Sequence, residues 1–376
     1  MSALDLQAMH RVNTAAVLDV VYRNGALPLS RISQLAGLSR RTVDLILGNL
    51  EREGWVAAQA AESVSARRGR PPRSFSFRPQ TGGVLAVDIA HDRTTATLAD
   101  LRGRELATAA VEVPEGAPRA DRLRWTRETM WRALAESPLS RSQLTSVVLA
   151  TPGNVNDAGA VDVQLSMRDW AGFSLAEEFA ADFDCPVLVE NDARLAALGE
   201  LWQGATQGAD HILWVRLEGP HLGLGIVVDG RLHRGHNGAA GEVSWATALG
   251  FHAIADSSLM AADRHSPDED ARRLAVVAAG ARAGDEAALD AVARLADVLS
   301  AGLSALAWAI APRFLVLGGT VGAGLAEVLV TALTERLAVT GPPSVEVRAS
   351  TLGARAATVG AVRMGLDRFQ RDVLLT

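Results

Sequence analysis

The apolar positions at the start of the chain predict three helices. Those within 12–21 recur at helical spacing, and Gly25 predicts the end of that helix. Ser30 has the residue type of an N-cap for a short second helix. Gly37 predicts a tight turn, and Ser39 predicts the N-cap of a third helix. This order of elements is typical of a helix-turn-helix.

Two short segments then predict a β-hairpin. Residues 55–57 and 75–77 have the composition of strands, and residues 58–74 are the loop between them. A hairpin that follows a helix-turn-helix is typical of a winged helix-turn-helix. We assign this α+β module to residues 1–80.

From residue 84 onward, strands and helices alternate. A long helix is predicted over 121–136, and strands are predicted at 84–89, 94–100, 107–113, 147–150, 187–189, 211–217 and 311–319. Residues 225–232 are predicted to continue 211–217 as a hairpin, with its turn at Asp229 and Gly230. Similar hairpins occur twice. The pattern therefore predicts an α/β domain over residues 81–376 with two lobes and a ligand-binding cleft between them.

The composition is that of a globular protein. Of the 376 residues, 48% are hydrophobic and 21% are charged. The most apolar region, 295–311, is interrupted by Asp297, Ser300 and Ser304, and we interpret it as a buried helix. Because no basic segment followed by an apolar run begins the chain, we expect a cytoplasmic protein without membrane contact.

The charge is distributed unevenly. Residues 1–80 have a net charge of +5 and the remaining residues one of −11, within an overall charge of −6. A basic module joined to an acidic one is expected when only the first contacts a polyanion.

The start of the third helix carries candidates for DNA contact. The second helix of a helix-turn-helix enters the major groove with its N-terminal end first, so Ser39, Arg40, Arg41, Thr42 and Asp44 can meet base edges or phosphates of double-stranded operator DNA. Arg40 and Arg41 are the strongest of these candidates. A three-helix module used for dimerisation is the alternative interpretation.

The predicted wing is basic. Arg67, Arg68, Arg70 and Arg73 occur there without a compensating acid, on a backbone that Gly69 and two prolines hold extended. Such a strip is typical of an arm that inserts arginine into a narrow minor groove. A solvated basic linker is the alternative, and the position of the strip on the wing argues against it.

Several motifs follow one another in a recognisable order. With them the chain resembles the ROK family, which is named for repressors, open reading frames and sugar kinases. The motifs are Arg68-Gly69-Arg70-Pro71, Ala86-Val87-Asp88-Ile89, Thr151-Pro152-Gly153, Val189-Glu190-Asn191-Asp192-Ala193, Gly223-Leu224-Gly225-Ile226-Val227 and Gly238-Ala239-Ala240-Gly241-Glu242.

The resemblance covers nearly the whole chain and carries several expectations. It implies a C-terminal actin-like domain of the sugar kinase and Hsp70 type, with two lobes and a site for a sugar or sugar phosphate in the cleft. It also implies a homodimer or a dimer of dimers, and control of carbohydrate genes.

The phosphate-binding turns of the family's kinases are altered in this chain. Where the resemblance implies Gly-Gly-Thr after Asp88, the sequence has Ala90, His91 and Asp92, so that a glycine is lost and a negative charge is added. Glu218 adds a carboxylate at the later glycine-rich turn. We therefore expect neither ATP binding nor kinase activity, and no cofactor.

The resemblance also assigns effector-binding residues. Asp192 stands at the place of the kinases' catalytic base, here vestigial, and Asn191 and Glu242 align with sugar contacts. Ser166 and Trp245 replace an Asn and a His of the family, and Trp245 is expected to stack on a sugar ring. Asn191 and Asp192 are equally well suited to a purely structural role as the cap of the following helix.

No metal site is predicted. The resemblance implies a structural zinc site of three Cys and one His, but Cys185 is the sole cysteine and Trp245 replaces the His. His233, His236 and His252 lack the spacing of metal ligands.

Three functions are compatible with these features. The first is a repressor of carbohydrate genes controlled by a sugar or sugar phosphate. The second is a regulator whose C-terminal domain only oligomerises or binds a protein. The third is an active sugar kinase, which the altered phosphate turns disfavour.

Overall fold

A computed structural model shows how the chain folds. It describes residues 3–60, 73–114, 116–163, 167–218, 221–243, 246–260, 267–342 and 344–374. Within these residues a winged helix-turn-helix precedes an actin-like α/β domain of two lobes, as the sequence predicts.

The N-terminal module contains three helices and a small antiparallel sheet. Its elements are α1 (Ala3–Arg23), β1 (Leu27–Pro28), α2 (Leu29–Ala36), α3 (Arg40–Arg52), β2 (Val56–Ala60) and β3 (Arg73–Phe77). The strands pair in the order β1-β3-β2. The helices bury one apolar face, made by Val17, Val21, Ile32, Val43, Ile46, Leu47 and Leu50, against Phe75 and Phe77 of β3.

The ends of the helices follow from local chemistry, with one exception. Gly37 ends α2 with a φ of 67°, a left-handed conformation that favours glycine. The Oγ of Ser39 accepts the Thr42 N–H at 3.1 Å and caps α3. The predicted cap at Ser30 is wrong, because α2 begins at Leu29 and its N-cap is the extended Pro28, two residues before Ser30.

The first lobe of the C-terminal domain is a five-stranded sheet covered by helices. Its elements in chain order are β4 (Gly83–Ile89), β5 (Arg93–Asp100), β6 (Glu105–Glu112), α4 (Arg119–Ala135), β7 (Leu144–Thr151), β8 (Asn154–Val155), β9 (Ala160–Val163), β10 (Phe173–Ser174), α5 (Leu175–Ala180), β11 (Val187–Asn191) and α6 (Asp192–Gln203). The main sheet has the order β11-β7-β4-β5-β6, and β8, β9 and β10 form a separate small sheet that the sequence did not predict.

The second lobe repeats this plan. Its elements are β12 (Ile212–Glu218), β13 (His221–Val228), β14 (Arg231–Leu232), α7 (Pro267–Arg282), α8 (Glu286–Ile310), β15 (Phe314–Gly318), α9 (Gly319–Gly324), α10 (Ala326–Thr340) and β16 (Glu346–Ala349). The chain then returns to the first lobe, where α11 (Ala356–Phe369) packs on β4 and β7. The order β14-β13-β12-β15-β16 combines an antiparallel meander with two parallel strands, as in the first lobe. The predicted duplication is therefore present in the topology.

Within the part of the chain that the structure describes, one helix, α8, is long and apolar enough by composition to cross a membrane. Its residues Leu295, Leu299 and Leu303 are fully buried in the core of the second lobe. In this fold α8 is a core helix, as its sequence predicts.

Helices α6 and α11 pack closely against each other. A Cβ at Gly199 would lie within 3.1 Å of the Gly360 nitrogen, and one at Gly360 would overlap the Leu195 carbonyl. Glycine at both positions allows this contact. Since α6 begins at Asp192, the helix pair fixes one wall of the cleft.

The N-terminal module rests on the C-terminal domain through an aromatic cluster. Tyr22 donates a hydrogen bond from its hydroxyl to the Leu101 carbonyl at 3.0 Å and accepts one from Gln370 at 3.3 Å. Trp55 stacks on Phe369, with 6.0 Å between ring centroids. The buried residues of the module and of α11 form one continuous core.

Candidate cleft site and nucleic-acid interface

The first turn of α3 presents polar side chains to solvent. Arg40, Arg41 and Asp44 are exposed and Thr42 is half-buried, whereas the opposite side of the helix is packed in the module core. Arg40 and Arg41 form no ion pair with any described residue. The residues that the sequence selects for DNA contact therefore lie together on one accessible surface.

The structure describes only the root of the predicted wing. Strands β2 and β3 pair from Val56 with Phe77 to Ala60 with Arg73, so the strands extend further than predicted. Arg67, Arg68 and Arg70 lie outside the described residues.

Arg73, the fourth arginine of the strip, is not without an acidic partner. It donates to both carboxylate oxygens of Glu51 at 3.1 Å, and its guanidinium lies 5.4 Å from the centroid of the Phe75 ring. This pair joins the root of the wing to the end of α3. The sequence interpretation overlooked Glu51 because it lies 22 residues away along the chain.

Asn191 and Asp192 lie where β11 ends and α6 begins. The Asn191 side chain accepts the Arg194 N–H at 3.1 Å, so it is the N-cap of α6, and its amide donates to the Gly153 carbonyl at 3.0 Å. Asp192 is buried and accepts a hydrogen bond from Arg216 on β12. The structural role that the residue types suggested is thus present for Asn191.

Arg216 lies at the centre of a cluster of carboxylates. Besides its bond to Asp192, its Nε is 3.7 Å from an oxygen of Glu218. Burial lowers the pKa of Arg216, but Asp192, Glu218 and Asp88 outweigh this and hold the pKa above its usual value. The guanidinium is therefore a permanent positive charge inside the cleft. The sequence reasoning missed it, although a charged residue within the apolar strand 212–217 was a visible signal.

Glu218 is fixed to the start of α9. One of its oxygens accepts the Thr320 N–H at 3.0 Å, and the other accepts the Thr320 hydroxyl. Backbone N–H groups at helix starts are common phosphate ligands. Here a carboxylate of the chain already occupies one of them.

Asp88 ends the apolar part of β4 beside the same cluster. Burial raises the pKa of Asp88 to about 7; Arg216 opposes this rise, and the carboxylates of Asp192, Asp92 and Glu218 add to it. Its Oδ1 is shielded from solvent and has no hydrogen-bond partner within the described part of the chain. Asp88 is thus a carboxyl that titrates near neutral pH.

A second charged network lies beside the first. Arg194, with 1% of its side chain exposed, donates to Glu190 at 2.9 Å and to the carbonyls of Gly238 and Ala240. Arg234 donates to the other oxygen of Glu190 at 2.7 Å. The network connects α6 to the loop that carries Glu242, and sequence reasoning assigned no role to either arginine.

Glu242 faces the cleft from that loop. Its side chain is 29% exposed, and the nearest oxygen is 3.7 Å from Arg194. Burial raises the pKa of Glu242; Arg194 opposes this rise and Asp192 adds to it. The structure therefore brings Asn191, Asp192 and Glu242 to one region. Ser166 and Trp245 lie outside the described residues.

Among the side chains that a ligand in the cleft could contact, more are acidic than basic. Arg194 is fully engaged by Glu190 and by carbonyl groups, so Arg216 is the basic counterpart to Asp192 and Glu218. Polar groups of this kind can bind hydroxyls through hydrogen bonds. Among the residues that the structure describes, no three His, Cys, Asp or Glu side chains are arranged to hold a metal ion.

Comparison with known proteins agrees with this geometry. Residues 84–249 match the model of the ROK family. The chain is 24% identical over 240 residues to the xylose repressor of Caldicellulosiruptor bescii, a match that covers 64% of this chain and 59% of that protein. The chain spans about six tenths of the length of the curated relatives that it matches first.

Two solved structures share the fold. A ROK family transcriptional regulator, a homolog of the E. coli MLC protein, matches 98% of both chains with a TM-score of 0.70 and 20% identity. The ROK hexokinase of Thermus thermophilus matches 77% of this chain and 99% of its own, with a TM-score of 0.59 and 25% identity. The first match spans the N-terminal module as well as the C-terminal domain, which confirms the predicted fold class.

Proposed function

We propose that this chain is a member of the ROK family and a DNA-binding repressor of carbohydrate genes. The observation that carries the proposal is the surface of α3, where Arg40 and Arg41 are exposed and have no ion-pair partner among the described residues. The same fold in a transcriptional regulator, and similarity to a xylose repressor, support it.

The two parts of the chain divide the work in this proposal. Residues 1–80 bind the operator through Ser39, Arg40, Arg41 and Thr42 in the major groove, and through the arginines of the wing. Residues 81–376 bind the effector and hold a homodimer or a dimer of dimers together in the cytoplasm. Two half-sites about one helical turn apart would then be occupied together.

The effector site of the proposal is the cleft. Asn191, Asp192 and Glu242 provide the polar groups, with Ser166 and Trp245 completing the set. An effector that hydrogen-bonds Asp192 competes with Arg216 for this carboxylate, so binding shifts the two lobes relative to each other. The shift reaches the DNA through α6, α11 and the Tyr22 contacts.

We further propose that the chain has no kinase activity. A nucleotide phosphate would be expected to contact the positive charge of Arg216 and the N–H groups at the start of α9. Arg216 already pairs with Asp192 and Glu218, and Glu218 already accepts a hydrogen bond from the start of α9. Added negative charge at Asp92 opposes phosphate in the same region.

The test combines DNA and sugar binding. A high-affinity site is selected in vitro from random DNA, and binding is measured by fluorescence anisotropy with and without a panel of pentoses, hexoses and their phosphates. We expect specific binding that a sugar weakens at least fivefold, the lower range of allosteric coupling. Arg41→Ala should lose specificity, whereas Arg231→Ala, an exposed arginine of β14, should bind as wild type does. Failure to select any sequence would refute the proposal.

One observation favours a second function. Arg194 and Arg216 already pair with carboxylates of the cleft, as expected if no ligand enters it. In that case the C-terminal domain only oligomerises or binds a protein. Two results together would favour this alternative. Operator binding should be unchanged by every sugar tested, and a protein partner should change operator binding by Asp192→Ala as it does for wild type.

A further inference from the structure

A glycine in the middle of α3 has no role within the fold. At Gly48 a Cβ would meet no atom within 4 Å, and the backbone is not in the left-handed region. Glycine is the least favourable residue for a helix interior after proline. In the other described α-helices, each glycine has a neighbouring atom within 3.4 Å of its Cβ position. Gly48 is the exception, so the reason for a glycine there lies outside this chain.

The neighbouring Leu45 is also unexplained by the fold. It is 65% exposed, more than Leu35 at 44% or Leu289 at 47%. The buried face of α3 consists of Val43, Ile46, Leu47 and Leu50. At 3.6 residues per turn, Leu45 and Gly48 share the outer face with Arg41.

Asp44 indicates which part of the DNA this outer face approaches. It is exposed and lies between Arg41 and Leu45 in sequence. A carboxylate is repelled by phosphates but accepts hydrogen bonds from cytosine N4 in the major groove. The outer face of α3 is therefore suited to base edges rather than to the sugar-phosphate backbone.

We propose that Leu45 contacts the 5-methyl group of a thymine in the major groove, and that Gly48 leaves the room for this approach. The inference rests on the proposed function and adds Leu45 and Gly48 to the residues that recognise the base sequence of the operator. The thymine methyl is the apolar group that the major groove offers. Leu45 lies about 6 Å further along α3 than Arg41 on the same face, so its thymine is about two base pairs from the base that Arg41 contacts.

The test removes the methyl group from the DNA and the side chain from the protein. In the selected operator each thymine is replaced in turn by deoxyuridine, which lacks only that methyl. At one position wild type should lose about fourfold in affinity, the value of one buried methyl group. Leu45→Ala should bind both DNAs equally and about as weakly as wild type binds the deoxyuridine DNA. Leu289→Ala, which removes a leucine of α8 that is 47% exposed, should keep the wild-type difference.

Gly48→Ala provides an independent readout. Because alanine favours the helix, we expect the melting temperature to rise by about 1 to 3 °C. Operator affinity should nevertheless fall several-fold, because the added methyl group holds the helix away from the bases. A variant that is both more stable and weaker in binding cannot be explained by misfolding.

Several outcomes would overturn the inference. One contrary result is that the wild-type protein binds operator equally well with thymine or deoxyuridine at every position, and another is that Gly48→Ala binds operator as wild type does. Either result would show that this face does not recognise thymine. Leu45→Ala that changes the oligomeric state would assign the face to a contact between copies. If wild type selects no DNA sequence at all, the proposed function itself is wrong.

Discussion

Replacing Asp88 by asparagine tests the charge balance of the cleft. Burial raises the pKa of Asp88 to about 7 from an ordinary value of 3.8, and no described group accepts or donates a hydrogen bond at its Oδ1. Asparagine has nearly the shape of the protonated carboxyl and no charge. The variant therefore mimics the form of Asp88 that the folded protein prefers.

The size of the effect follows from the pKa difference. A shift of about three pKa units corresponds to about 4 kcal/mol between the two protonation states. The pKa shift of Asp88 already includes its attraction to Arg216, so the loss of this attraction in the variant needs no separate correction. Relaxation of the surrounding charged side chains reduces the energy difference. We expect Asp88→Asn to raise the free energy of unfolding by about 2 to 4 kcal/mol at pH 8.

The pH dependence has a definite direction. The folded protein keeps the Asp88 proton up to about pH 7, whereas the unfolded chain releases it near 3.8. The folded state therefore binds more protons between these values, so this group lowers stability as the pH rises from about 4 to 7. Above pH 7 its contribution is constant. The advantage of Asp88→Asn should shrink steadily as the pH falls from 7 towards 4.

The measurement is urea unfolding at pH 5 and pH 8, followed by tryptophan fluorescence. Asp184→Asn is the control, because the Asp184 side chain is 75% exposed and pairs with the exposed Arg141 rather than with a residue of the cleft. The control should change stability little at either pH. If Asp88→Asn is no more stable than wild type at pH 8, or if its advantage is as large at pH 5, the carboxylate is not strained by burial and the reasoning is wrong.

Three further predictions concern other parts of the molecule. Tyr22→Phe removes the hydrogen bonds to Leu101 and Gln370, so urea unfolding should show a loss of about 1 to 2 kcal/mol; an unchanged midpoint would contradict the role of this contact. Arg70→Ala should weaken binding mainly to operators with A·T-rich flanks and flatten the log-log salt dependence by about 0.9, as titrations at several salt concentrations will measure. Equal binding to A·T-flanked and G·C-flanked DNA by wild type and variant would identify the strip as a linker. Incubation with ATP and common hexoses should yield no sugar phosphate, and a product that Asp192→Asn abolishes would show an active kinase.

Local features of the fold were predictable from the sequence. Gly37 ends α2 and Ser39 caps α3, because each forms its structure with residues at most a few positions away. Asp229 and Gly230 form the hairpin turn with φ values of 52° and 69°, as the residue types predict. Ser30 shows the limit of such reasoning, since a neighbouring proline and its strand pairing set the helix start instead.

The positions of the candidate site residues were predictable, but their electrostatic partners were not. Asn191, Asp192 and Glu242 stand in recognisable motifs, and the structure brings them together. The partners of these residues come from distant parts of the chain. Arg216 lies 24 residues beyond Asp192, on a strand of the other lobe.

By itself, the sequence determined the order of the main helices and strands, which faces are apolar and which part of the chain is basic, because these properties depend on neighbouring residues. Only the tertiary structure decided that Arg216 pairs with Asp192 and Arg194 with Glu190, or that Tyr22 meets Gln370 across 348 residues. Such pairs depend on how the two lobes and the N-terminal module pack. Charge interactions act through space, and their strength depends on burial, so no pattern along the chain specifies them.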